Sequence, residues 1–162
     1  MQNIVFKLAI ALSLFVISIQ AKDIGDSIIP TKHNQNLTLS QLAEIQPGLG
    51  TIMIEFGHRF YIAYYAAKEE NWELAKYEIH ELVEAQEIAE TTRPKYVSQL
   101  KAFEDDFIKP LEETIKAKNW EKFSSQYDKT VIACNSCHTS TGHGFIKYKL
   151  PKNKPLIPSM GL

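Results

Sequence analysis

Glycine is missing from the whole stretch between His58 and Thr141, and the only prolines there are Pro94 and Pro110. Glycine and proline are the residues that most readily stop a helix. A span so free of them, and rich in Ala, Glu, Lys and Leu, reads as helices joined by short turns. No alternating strand pattern competes with that reading. The chain has 162 residues, 44% of them apolar, and a net charge of -1, which fits one globular domain. A balance this close to neutral carries no electrostatic footprint of a nucleic-acid partner.

Periodicity and capping residues place four helices. The first runs from Gly48 to Glu70, with Leu49, Met53, Phe56, Phe60, Ala63 and Ala67 along one stripe. Asn71 stands where a cap is needed for the second, whose stripe is Trp72, Ala75, Ile79, Leu82, Gln86 and Ala89. Thr92 and Pro94 mark the start of the third, carrying Val97, Leu100, Phe103 or Glu104, Phe107, Leu111 and Thr114 or Ile115. Pro110 falls inside it and should kink or split it, because the ring removes the bond back to the Asp106 carbonyl. Asn119 caps the fourth, along which Trp120, Phe123, Tyr127, Val131, Cys134 and His138 line up.

Asn71-Trp72-Glu73 recurs as Asn119-Trp120-Glu121. Two such starts, one per helix pair, predict an all-α, up-down-up-down four-helix bundle over residues 48–141. A helical-repeat array fits less well, since two copies 48 residues apart are too few to stack stably.

The two ends read differently. Met1 to Lys7 carries one basic side chain, and Leu8 to Ile19 is an almost unbroken apolar run too short for a comfortable membrane span. Residues 1–21 therefore read as an export signal, cleaved after Ala21. Retention as an uncleaved anchor is the alternative, because Ile19 is bulkier than the residue usual at that place. Cleavage leaves 17 basic against 19 acidic residues, no membrane segment, and a periplasmic protein that keeps both cysteines. Residues 22–47 read as an irregular leader with one helical turn around Ser40 to Ile45. Residues 142–162 read as a basic, proline-containing tail with Lys147, Lys149, Lys152 and Lys154, either a solvated terminus or a docking strip for an acidic redox partner protein.

Two cysteines in an exported chain ordinarily point to a disulfide. Here they stand three apart and a histidine follows directly, in Cys134-Asn135-Ser136-Cys137-His138. Covalent haem attachment needs two thiols to add across two vinyl groups, with a strong-field ligand beside them. On a helix Cys134 and Cys137 share a face, and His138, four residues after Cys134, can turn its imidazole to the iron. The motif predicts haem c, one per chain. Zinc held by Cys134, Cys137, His138 and His143 is a competitor, weakened by ligands in adjacent positions and by the lack of a second cysteine pair. A redox-active disulfide lacks the strand-helix-strand pattern expected around it.

With this motif at the end of a fourth apolar stripe, the chain resembles the class II c-type cytochromes, the cytochrome c prime type and its low-spin relatives. Those are exported four-helix bundles with haem attached near the C-terminal end of the last helix, and the resemblance covers residues 48–141. It implies that Cys134 and Cys137 carry the thioether links and that His138 is the proximal iron ligand. Members often place an aromatic residue and an arginine shortly after that histidine, where this chain has Thr139-Ser140-Thr141-Gly142.

The other face of the iron decides the function. A second strong ligand makes an electron carrier, and an open apolar site lets iron take a diatomic gas. In an antiparallel bundle Met53 lies at a height similar to His138, on the main stripe of the first helix, and is the leading distal candidate; plain core packing is its alternative role. His58 is the rival, on a second stripe with Ile54, Tyr61 and Tyr65, and would ligate if the helix were rotated. If the Met53 side faces the haem, that second stripe is a natural surface for homodimerisation. His80 reads as part of a solvated face, His143 as part of the chain reversal or a haem-edge contact, and His33 as having no role.

Two functions from different classes follow as expectations. One is a periplasmic monohaem electron-transfer protein, which needs no substrate pocket and is not an enzyme. The other is a five-coordinate haem protein that binds a gas such as nitric oxide beside Phe56 or Phe60. A non-haem Cys/His zinc or thiol-redox protein stands third.

Overall fold

A computed structural model describes residues 23–30 and 36–155. The expected export signal and His33 lie outside the described residues. The chain divides into two units, Met1–Gln46 and Pro47–Leu162.

In the first unit the leader is not irregular throughout. β1 (Ile28–Pro30) and β2 (Asn36–Thr38) pair antiparallel, with Ile29 opposite Leu37. α1 (Leu39–Glu44) follows at once, held by a reciprocal cap. The Gln41 N–H donates to Thr38 Oγ1 at 3.1 Å, and the Thr38 N–H donates to the Gln41 side chain at 2.9 Å. Strands of three residues are too short to show alternation in a sequence, and a proline inside one argues against a strand.

The second unit is helical: α2 (Leu49–Lys68), α3 (Trp72–Thr92), α4 (Val97–Phe103), α5 (Lys109–Lys116) and α6 (Trp120–Ser140). Asn71 and Asn119 both cap, accepting from the Leu74 N–H at 3.1 Å and the Lys122 N–H at 2.9 Å. The turns before them are alike as well. Asn71 N–H bonds back to Ala66 and Glu70 N–H to Ala67, as Asn119 does to Thr114 and Lys118 to Ile115. The repeated Asn-Trp-Glu thus marks one chain reversal used twice. In each, the residue before Asn is left-handed, Glu70 at φ 61° and Lys118 at φ 50°, a conformation that strains any residue with a side chain.

α4 and α5 are separated by a π turn, Glu104–Ile108, in which the Lys109 N–H reaches back to the Glu104 carbonyl. Pro110 follows in the first turn of α5, so the disturbance expected there takes the form of a wide turn just upstream of the ring. The extra residue rotates the apolar stripe by one position. Ile108 is fully buried with Leu111, while Phe107, which the unbroken period selected, is half-buried.

α2 packs on α3, α3 on α4 and α5, and α6 on α5 and α2. Phe60, Ile79, Leu82, Leu111, Phe123 and Tyr127 fill the interior, with the Phe60 and Tyr127 rings stacked at 4.0 Å between centroids. On another flank of α2, Arg59 bonds Glu55 at 2.8 Å and the buried Glu78 at 3.1 Å. Among the described residues no helix is long and apolar enough to cross a membrane.

The C-terminal segment departs from the expected solvated tail. Gly142, at φ 84°, reverses the chain after α6, with His143 N–H bonding back to His138 and Gly142 N–H to Thr139. Residues 143–155 then form a strap. Tyr65 donates to the carbonyls of Pro151 and Lys152, and Tyr61 to that of Asn153. The strap takes up the tyrosines of the second α2 stripe, so Ile54 and His58 are what that face still exposes.

Replacing Lys118 with Gly should raise stability by about 0.5–1 kcal/mol, seen as a higher denaturation midpoint. Gly142→Ala, which puts a side chain at φ 84°, should lower it by about 1 kcal/mol.

Candidate functional site

Cys134, Cys137 and His138 of α6 line one cavity of about 700 Å³, within the size range of small-molecule sites. Its apolar walls are Leu49, Met53, Phe56 and Phe60 from α2, with Leu100 and Phe103 from α4. Leu49 and Met53 begin the α2 stripe and are only half-buried, because the packed interior gives way to the cavity there. Arg93, Lys95 and Lys147 also line it, and among the described residues no Asp or Glu does.

The residues singled out in the sequence therefore sort cleanly. Met53 shares the cavity with both cysteines and His138, and His143 joins them at its edge. His58 is exposed and does not line the cavity, so the rotation of the first helix that would make it a ligand is not the one adopted. His80 is exposed, 3.3 Å from Glu84. Among the described residues no three of His, Cys, Asp and Glu are gathered as a metal-holding group.

Both cysteines are free thiols. Burial, with Cys137 nearby, pushes the Cys134 thiol up to about 12, and burial raises that of Cys137. Neutral, desolvated thiols are the reverse of the acid-shifted thiolate that a redox-active pair requires.

His138 Nδ1 lies 3.1 Å from the Ile146 carbonyl. A carbonyl can only accept, so Nδ1 carries the proton, and in the neutral ring Nε2 keeps a free lone pair. Metal-ligating histidines are oriented in this way by a partner on their other nitrogen. The strap supplies that partner, and Asn135 fastens the strap. Its side chain accepts from the Tyr148 N–H at 2.8 Å and donates to the Tyr148 carbonyl at 3.1 Å, much as a neighbouring strand would. The Tyr148 and Tyr127 hydroxyls meet at 2.8 Å, and Tyr127 donates to the Phe60 carbonyl at 3.3 Å. Sequence reasoning missed Asn135 and the strap. The one available signal was a side-chain amide between the two cysteines, on a helix followed by glycine.

Asn135→Ala removes two hydrogen bonds and should destabilise the protein by about 1–2 kcal/mol in chemical denaturation, with faster exchange of the Tyr148 amide. A pH effect follows from Cys134. Its thiol ionises near 9.0 when unfolded and at about 12 when folded, so the unfolded chain loses the proton first. Stability is intact below the lower value and falls as pH rises between the two. Between about pH 9 and about pH 12 the thermal midpoint of the haem-free protein should drop more steeply than that of Cys134→Ala.

Neither family models, nor curated proteins, nor solved structures compared with this chain give a match. What the cavity takes up has therefore to be read from its lining.

Proposed function

We propose that this chain is an exported monohaem c-type cytochrome that carries electrons in the periplasm. The observation that supports it most is the convergence on one cavity of Cys134, Cys137, a His138 with Nε2 free, and Met53. We take α2, α3, the α4–α5 run and α6 as the up-down-up-down four-helix bundle that the repeated cap pattern calls for. The lining fits haem c in kind: two thiols and an imidazole on one helix, apolar walls for a flat ring, cations for its carboxylates, and a volume of about 700 Å³.

In this reading Cys134 and Cys137 hold the ring through thioethers, His138 Nε2 is the proximal ligand and Met53 the distal one. When bound, haem supplies a one-electron ferric/ferrous couple. The Ile146 carbonyl keeps His138 in the Nε2-ligating tautomer. Phe56, Phe60 and Leu100 keep water from the ring, which lowers the cost of the less charged ferrous state. Redox partner proteins, rather than a small substrate, are what such a protein meets.

Expressed in a host with haem-attachment machinery, the chain should keep its haem through denaturation, and the double variant Cys134→Ser, Cys137→Ser should not. Haem that survives denaturation in the double variant would overturn the reading. The reduced protein should be low-spin and indifferent to carbon monoxide. Met53→Ala should turn it high-spin and reactive to that gas, with His58→Ala leaving it unchanged. Carbon monoxide binding by the unsubstituted protein would replace the carrier with the five-coordinate, gas-binding alternative.

A further inference from the structure

We infer that Arg93 and Lys95 form the anion-binding side of the cavity and hold the carboxylates of the haem propionates, an assignment that rests on the haem reading above. Among the described residues the cavity lining includes Arg93, Lys95 and Lys147 and no Asp or Glu. Composition does not explain that exclusion, because the chain has 19 acidic residues against 18 basic ones.

The two arginines of this chain show the contrast. Arg59 has Glu55 at 2.8 Å and Glu78 at 3.1 Å. Arg93 is half-buried, and among the described residues no carboxylate lies within 4.0 Å of it. Its Nη1 donates to the Thr92 carbonyl at 2.6 Å, which occupies one edge of the fork. Nη2 lies 3.6 Å from the place a Cβ would take on Gly48, so the guanidinium rests against the bare backbone at the start of α2. A partly desolvated guanidinium with donors to spare calls for a carboxylate, which it can bind in bidentate fashion.

The backbone keeps it there. Arg93 caps α3, its N–H bonds the Ala89 carbonyl at 2.8 Å, and Pro94 behind it fixes the corner. Lys95 stands at the same corner, its Nζ 4.7 Å from the centre of the Tyr96 ring and, among the described residues, without a carboxylate within 4.0 Å. Lys147 belongs to the strap and its Nζ is hydrogen-bonded to Thr139, so we leave it out of the pair. A plate bound by thiols on α6 would then be held at a second point by the α3–α4 corner, which fixes its rotation within the cavity. Cations beside the ring disfavour the ferric charge and so raise the reduction potential.

The test compares holoproteins. In the double variant Arg93→Gln, Lys95→Gln the haem should stay covalently attached. Its midpoint potential at alkaline pH should fall by an amount equal to a tenfold shift of the ferric/ferrous ratio, about 59 mV for one electron. The potential should also gain a dependence on pH as the propionates titrate at higher values, and their resonance Raman bending bands should move. Arg93→Lys should restore part of the potential. Lys149→Gln, at an exposed position outside the cavity, should change none of these. Attached haem with unaltered potential and bands in the double variant would overturn the assignment while leaving the haem reading intact. Absence of covalent haem from the unsubstituted chain would remove the haem reading, and with it this assignment. A long-chain fatty acid recovered from that haem-free protein would mean that the carboxylates come from a lipid instead.

Discussion

The stacking of Phe60 on Tyr127 divides the helical unit into a filled part and an open one. On one side Ile79, Leu82, Leu111 and Phe123 are packed without exposure; on the other, Phe60 is wall to the cavity. The hydroxyl at the tip of Tyr127 makes the division hold. Buried without partners it would cost about 1–3 kcal/mol, and here it donates to the Phe60 carbonyl and accepts from Tyr148. One side chain thereby ties α6 to α2 and both to the strap. Burial also raises the pKa of Tyr127 far above its ordinary value, so the phenol stays a neutral donor.

Much of the helical framework was legible because the signals were local. Asn71 and Asn119 cap where their sequence places them, and the stripe of α3 from Trp72 to Ala89 is buried as its period requires. That Cys134, Cys137 and His138 come together was legible for the same reason, since their spacing on one helix is fixed by the helix itself. What escaped depends on contacts far apart in the chain or on a change of period. Tyr61 and Tyr65 look like a free apolar face until residues 151–153 are seen to accept their hydroxyl protons. Phe107 is on the ideal stripe, and a single π turn upstream of Pro110 hands its place to Ile108. Arg93 has no periodic signature, because it owes its position to the corner between two helices.

The two sides of the cavity differ in how they are made. The residues nearest His138 in the chain do much to orient it: Asn135 before it, Gly142 after it, then Ile146 and Tyr148. Closing so short a loop costs little entropy, so the proximal arrangement is largely a property of one helix end. Met53 and Arg93 arrive from other helices, and their place depends on the whole unit being folded.

That asymmetry bears on what filling the cavity does. A group tethered to α6 reaches the walls of α2 and α4 at the high effective concentration of an intramolecular contact. Its binding to the folded arrangement alone then adds to folding stability, as for any ligand that favours the native state. The cations at the α3–α4 corner extend the coupling to a third part of the chain. If the cavity holds haem as proposed, the ligand set on the proximal side is written into the motif, whereas the distal ligand and the charge around the ring follow from how α2, α3 and α4 pack. Two chains with the same five-residue motif can for this reason differ in potential and in gas reactivity without any change in how their haem is attached.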